Sequence, residues 1–158
     1  MELSYNVRMK SLCPRCGAQL PDTESCQNRF DLTQTKELGA PEFYQVHHLS
    51  VPCYMLQHNT YSAEGWLAVR ELLKQFVFQG LSAEEARRQN REMMDTGHRT
   101  WSLRKGPKLQ DVDKIRWHLT VADVRQDSAE HYCADVRRWA ISVLTDSAEL
   151  VDSLHSKS

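Results

Sequence analysis

Ser62-Ala63-Glu64-Gly65-Trp66-Leu67-Ala68-Val69-Arg70-Glu71-Leu72-Leu73-Lys74-Gln75-Phe76-Val77 decides the fold class. Trp66, Val69, Leu73, Phe76 and Val77 recur at intervals of three and four residues, the repeat that lays an apolar stripe along one face of an α-helix. Ser62 is the residue type that caps such a helix, and Gly80 ends the pattern. A second stripe lies nearer the C-terminus, where Tyr132, Val136, Trp139, Ala140 and Val143 share a face behind a cap at Asp127 or Ser128. Between them, Ser82-Ala83-Glu84-Glu85 has the serine and glutamate of a capping box and opens a charged helix from Glu84 to Asp95, closed by Gly97. Arg87, Arg88 and Arg91 alternate there with Glu84, Glu85, Glu92 and Asp95, the pattern of a solvated face. Leu119-Thr120-Val121-Ala122-Asp123-Val124 reads as one helical turn capped by Thr120, with Asp123 as its reciprocal partner, in preference to a short strand. Pro41 to Asn59 reads as a further helix that Pro52 kinks or breaks. The chain past about Asp146 is polar and is expected to fray.

The sequence has 158 residues, 41% hydrophobic and 26% charged, with net charge −1. That is enough chain for one real core, in the proportions of a globular protein. A balanced charge supplies no global field to recruit nucleic acid or anionic membrane. No apolar run approaches the roughly 18 residues of a membrane span, and Met1 to Lys10 is polar where a signal peptide is apolar, so a cytoplasmic protein is expected. Glycines never fall at the spacing of a phosphate loop, and no nucleophile elbow is present.

Chemistry concentrates near the N-terminus. Of the five cysteines, Cys13, Cys16, Cys26, Cys53 and Cys133, three fall within one short segment. An odd count without an export signal argues for reduced thiols. Cys13-Pro14-Arg15-Cys16-Gly17 is the turn of a zinc knuckle: two thiolates aim at one point, and glycine permits the positive φ that closes the turn. Cys26 offers a third ligand beyond a loop at Pro21-Asp22-Thr23. A closed structural zinc site needs four, and histidine is the natural fourth. His47 and His58 lie eleven residues apart, about 16 Å along a helix, too far for both to reach one ion unless the helix breaks. His47 is the preferred ligand, with His48, His58 and Cys53 as alternatives. Cys53 and Cys133 sit among apolar neighbours, where a free cysteine packs as a small hydrophobe.

The one local excess of charge is the loop from His98 to Lys108. Its Arg99, Trp101, Arg104, Lys105 and Lys108 are the candidate contacts for nucleic acid or another anion, although a tryptophan between arginines also anchors a loop to its own protein.

Cys13-Pro14-Arg15-Cys16-Gly17-Ala18, Cys26, His47-His48-Leu49-Ser50-Val51 with Tyr54, Gln57 and His58, the segment Leu119–Val124, and Val136-Arg137-Arg138-Trp139-Ala140-Ile141-Ser142-Val143 together resemble a bacterial family of uncharacterised small proteins, DUF5946. The resemblance spans nearly the whole chain and departs most between Gly80 and Pro107. It implies a single domain with recurrent positions at Cys13, Cys16, Cys26, His47 and His58, and it favours His47 over His48 and Cys53 as a ligand. It implies no activity.

The expected architecture is therefore mainly α, with about five helices in one bundle-like domain. It divides into a zinc-bound N-terminal lobe over residues 1–30, a helical body over 31–148 and a frayed tail over 149–158. The expected function is a non-catalytic accessory module, regulatory or interacting with a protein partner, in which zinc ties the lobe to the body. One alternative is a metal-dependent hydrolase or transferase with an open site around His58, joined by His98, His131 or Asp95. The other is a nucleic-acid binder using the zinc lobe and residues 99–108.

Overall fold

The computed structural model describes residues 11–95 and 105–156. Their order is a two-stranded antiparallel ladder, β1 (Ser11–Leu12) and β2 (Gln19–Leu20), followed by α1 (Cys26–Gly39), α2 (Pro41–Tyr44), α3 (His47–Gln57), α4 (Ala63–Phe78), α5 (Ala83–Asp95) and α6 (Ala129–Ser156). Two short 3-10 turns, Val112–Lys114 and Val121–Asp123, lie between α5 and α6. The fold is mainly helical, as the periodicity requires. No described helix is long and apolar enough to cross a membrane.

The caps read from the sequence are formed. Ser62 Oγ accepts from the Gly65 amide at 3.1 Å, Ser82 Oγ from Glu85 at 3.1 Å, and Ser128 Oγ from His131 at 3.1 Å. Thr120 and Asp123 exchange the two bonds of a capping box around a single 3-10 turn. Behind these caps the two stripes meet: α3, α4 and α6 pack on one another, and Trp66, Tyr132 and Trp139 are fully buried between them while Phe76 is half-buried. Both indoles keep a hydrogen bond in the core, as buried Trp N–H groups usually do. Trp66 Nε1 donates to the Leu56 carbonyl at 3.0 Å. Trp139 Nε1 donates to Gln57 Oε1 at 3.2 Å, and Gln57 Nε2 donates to the Leu119 carbonyl at 2.7 Å, so one buried amide ties α3 to α6 and to the loop before it.

Three features depart from the sequence reading. First, Pro41–Asn59 is interrupted at Gln45–Val46, between α2 and α3, and α3 runs continuously through Pro52. Second, α6 continues to Ser156 instead of fraying from Asp146. Ser147 is buried, Leu150 and Val151 pack on the core, and Arg70 donates from Nε to Ser147 Oγ at 2.7 Å and from Nη2 to the Leu144 carbonyl at 2.9 Å. Those contacts hold turns that polarity alone releases. Third, α1 begins at Cys26 behind a capping box of Ser25 and Asn28.

Candidate metal centre

Three separate segments build the centre. The ladder brings Leu12 opposite Gln19, and the turn between the strands is closed by Cys13 N donating to the Ala18 carbonyl and Gly17 N donating to the Cys13 carbonyl, both at 2.9 Å. Gly17 has φ +76°, the left-handed conformation that the knuckle was expected to need. Cys26 opens α1 directly behind the Ser25 cap. His58 ends α3 as its C-cap.

The four donor atoms of Cys13, Cys16, Cys26 and His58 lie within 4.8 Å of one another and can hold a metal ion. Cys13 Sγ stands 3.7 Å from His58 Nε2, and Cys16 Sγ stands 3.5 Å from Cys26 Sγ. A tetrahedron with metal–sulfur bonds of about 2.3 Å has edges of about 3.8 Å, so both pairs already match a tetrahedral edge and the widest pair needs to close by about 1 Å.

The ring of His58 is fixed for coordination. Its Nδ1 donates to the Tyr54 carbonyl at 2.8 Å, which leaves the lone pair on Nε2 facing the sulfurs, the outer-shell arrangement typical of metal-binding histidines. Phe30 stacks on Tyr54 at 3.9 Å between centroids, and Tyr54 stacks on His58 at 4.0 Å. The stack therefore carries the orientation of α1 to the fourth donor. The cluster is arranged to gather negative charge. The hydrogen bond from Cys26 holds the Cys16 thiol far below the usual thiol range, at about 4, with help from His58 and the Ala18 backbone. Cys26 moves the other way, pushed up by sharing that bond and by burial. Burial presses His58 down, but its hydrogen bonds to Cys16 and to the Tyr54 carbonyl raise it overall. Thiolate density next to three further donors is what a divalent cation neutralises.

The side chain that the structure places with the three cysteines is thus His58 and not His47. His47 sits at the opposite end of α3, where its Nδ1 lies 2.9 Å from Oε2 of the buried Glu37. Ser50 Oγ and Tyr132 OH both donate to Glu37 Oε1 at 2.6 Å, so His47 belongs to a network joining α1, α3 and α6. His48 lies edge-on to Phe76 at 4.9 Å, its pKa lowered by burial. Cys53 is fully buried, which pushes its thiol up, and Cys133 donates to the Glu42 carbonyl at 3.3 Å. His131 pairs with Asp127 at 3.0 Å instead of joining His58. His98, Arg99, Trp101 and Arg104 lie outside the described residues, as does the side chain of Asp95. Of the remaining basic candidates, Lys105 is exposed, and Lys108 donates from Nζ to the Thr60 carbonyl at 2.5 Å. Sequence reasoning gave Tyr54 no role at the site and did not reach Glu37. Tyr54 and His58 stand four residues apart on α3, and that aromatic pairing on one helix face was the available signal.

A model described as a family of unknown function, DUF5946, matches residues 11–148. Neither the comparison with curated proteins nor that with solved structures finds a match. The matched span takes in the knuckle turn, Cys26, His58 and most of α6, and on that coverage the chain belongs to the DUF5946 family.

Proposed function

We propose that this protein is a small cytoplasmic zinc-binding module in which one structural zinc, held by Cys13, Cys16, Cys26 and His58, fixes the N-terminal hairpin to α1 and α3, leaving the helical body as a non-catalytic surface for a protein partner. The convergence of three sulfurs and one oriented imidazole from three segments carries this reading. Soft thiolates with one imidazole at tetrahedral spacing favour zinc among the common divalent ions. Four protein donors fill its shell and leave no position for an activated water, which favours a structural over a catalytic role. The hydrolase alternative loses His58 to the cluster, and the nucleic-acid alternative rests on a loop most of which lies outside the described residues.

The test is metal removal. Ligand assembly is part of the folding free energy of such a centre. Stripping the ion with a strong chelator under reducing conditions is expected to lower Tm by about 10 °C or more, the shift that a loss of roughly 3–5 kcal/mol gives in a domain of this size, and zinc is expected to restore it. An apo protein that melts with the loaded one contradicts the structural role.

A further inference from the structure

Two contacts of different kinds hold the imidazole of His58. Its Nδ1 donates to the Tyr54 carbonyl at 2.8 Å, the same carbonyl that accepts from the His58 amide at 3.1 Å. One hydrogen bond anchors one corner of the ring and leaves its tilt about that corner open. The tilt decides where Nε2 points, and a coordinate bond tolerates only about 0.2 Å of misplacement. The side chain of Tyr54 supplies the second contact, lying against the imidazole at 4.0 Å between centroids and 25° from parallel. Phe30 lies against Tyr54 in turn, at 3.9 Å and 7°. Two rings this close and this nearly parallel to Tyr54 cannot share one of its faces, so Tyr54 is the middle of a three-ring stack. Its hydroxyl donates to Gln27 Oε1 at 3.3 Å, and Gln27 Nε2 donates to Asp31 at 2.8 Å. Gln27 and Phe30 belong to the first turns of α1, the helix that begins with Cys26. One helix therefore supplies a donor and both braces of the ring that aims another.

We propose that the ring of Tyr54 is a positioning residue of the metal centre in its own right, apart from its backbone carbonyl. Clamped by Phe30, it sets the plane of the His58 imidazole so that Nε2 faces the three sulfurs, and thereby sets the affinity and the tetrahedral geometry of the bound ion. This rests on the metal reading above. Nε2 stands 3.7 Å from Cys13 Sγ, already the length of a tetrahedral edge. The stack is made by α1 and α3 alone, so helix packing fixes the ring plane before any ligand bond forms, and a preorganised donor costs less to order on binding. Every substitution at position 54 keeps the carbonyl, so a variant there separates the ring from the hydrogen bond.

The experiment measures the zinc affinity of the full chain under reducing conditions by competition with a chromophoric chelator. Cobalt(II), whose visible bands are intense only in tetrahedral sites, reports the geometry. Tyr54→Leu is expected to weaken zinc binding about 10–100-fold, the usual cost of losing an outer-shell partner, and to dim the cobalt bands. Tyr54→Phe keeps the ring and loses only the bond to Gln27, so it is expected to hold both readouts close to wild type. Phe30→Leu removes the clamp without touching Tyr54 or His58 and is expected to weaken binding several-fold; it carries the test if Tyr54→Leu does not fold. A purely structural Tyr54 would instead lower the melting temperatures of apo and loaded protein equally, with affinity and cobalt bands unmoved. Unchanged affinity and bands in folded Tyr54→Leu or in Phe30→Leu overturn the inference, as does a loss in Tyr54→Phe as large as that in Tyr54→Leu, and each leaves the metal reading standing. Wild type that binds no zinc contradicts the metal reading itself.

Discussion

Glu37→Ala removes the hub of the network that joins α1, α3 and α6. Glu37 is 1% exposed, and its carboxylate takes hydrogen bonds from Ser50 Oγ and Tyr132 OH at 2.6 Å and lies 2.9 Å from His47 Nδ1. A buried carboxylate is costly unless its lone pairs are satisfied, and here they are. Truncation leaves two buried hydroxyls without their acceptor, each worth about 1–3 kcal/mol, and deletes one methylene worth about 0.8 kcal/mol along with the carboxylate. Relief from burying the charge offsets part of this. The side chain of His47 is 34% exposed and turns to water. The net expectation is a loss of about 3–5 kcal/mol, read as a fall in the urea midpoint with an unchanged slope. Tyr132→Phe removes one donor and keeps the hub, so it is expected to cost about 1.5–3 kcal/mol. Because the network is remote from the cluster, both variants keep their metal. A Glu37→Ala cost below about 1 kcal/mol, or one no larger than that of Tyr132→Phe, refutes this account of how the three helices are tied.

Trp139→Ala opens a cavity in the core and strands Gln57 Oε1, and is expected to cost about 3–5 kcal/mol in chemical denaturation. Asp135 is held down to about 2, first by the Arg125 side-chain hydrogen bond and then by the Arg125 backbone N–H. A depressed carboxylate contributes stability that is present above its unfolded value near 3.9 and is lost as pH falls through the folded value. Acid unfolding of the wild type is therefore expected to steepen between about pH 4 and 2, and Asp135→Asn to flatten that limb.

The sequence made α4 and α6 legible because their caps and apolar repeats agree, and α5 because a capping box opens its charged run. It hid α1 because the buried stripe of that helix is Cys26, Phe30, Thr33 and Glu37, spaced as a helix but half polar. Thr33 is satisfied by the Phe30 carbonyl at 2.7 Å and Glu37 by its three partners, so polarity there marks a bonded interior and not a surface. The three cysteine donors were legible from the knuckle turn and the spacing to Cys26. The choice between His47 and His58 was not, because it depends on which end of α3 faces the hairpin. Tertiary packing decides that: Phe30 of α1 stacks on Tyr54, near the C-terminal end of α3, and His58 follows one turn later. The break at Gln45–Val46 lies where neither proline nor glycine marks it, while Pro52 sits inside a continuous helix and forgoes only its own N–H bond. The end of α6 was hidden because Arg70, far away in sequence, supplies the bonds that hold it.

The central claim is tested most directly by metal stoichiometry in four proteins purified without chelator: the wild type, Cys13→Ser, His58→Gln and His47→Gln. The account predicts about one zinc per chain in the wild type and in His47→Gln, and a clear loss of bound metal in Cys13→Ser and His58→Gln, since each removes one of four donors. Wild type without stoichiometric metal, or metal retained in His58→Gln and lost in His47→Gln, would contradict it.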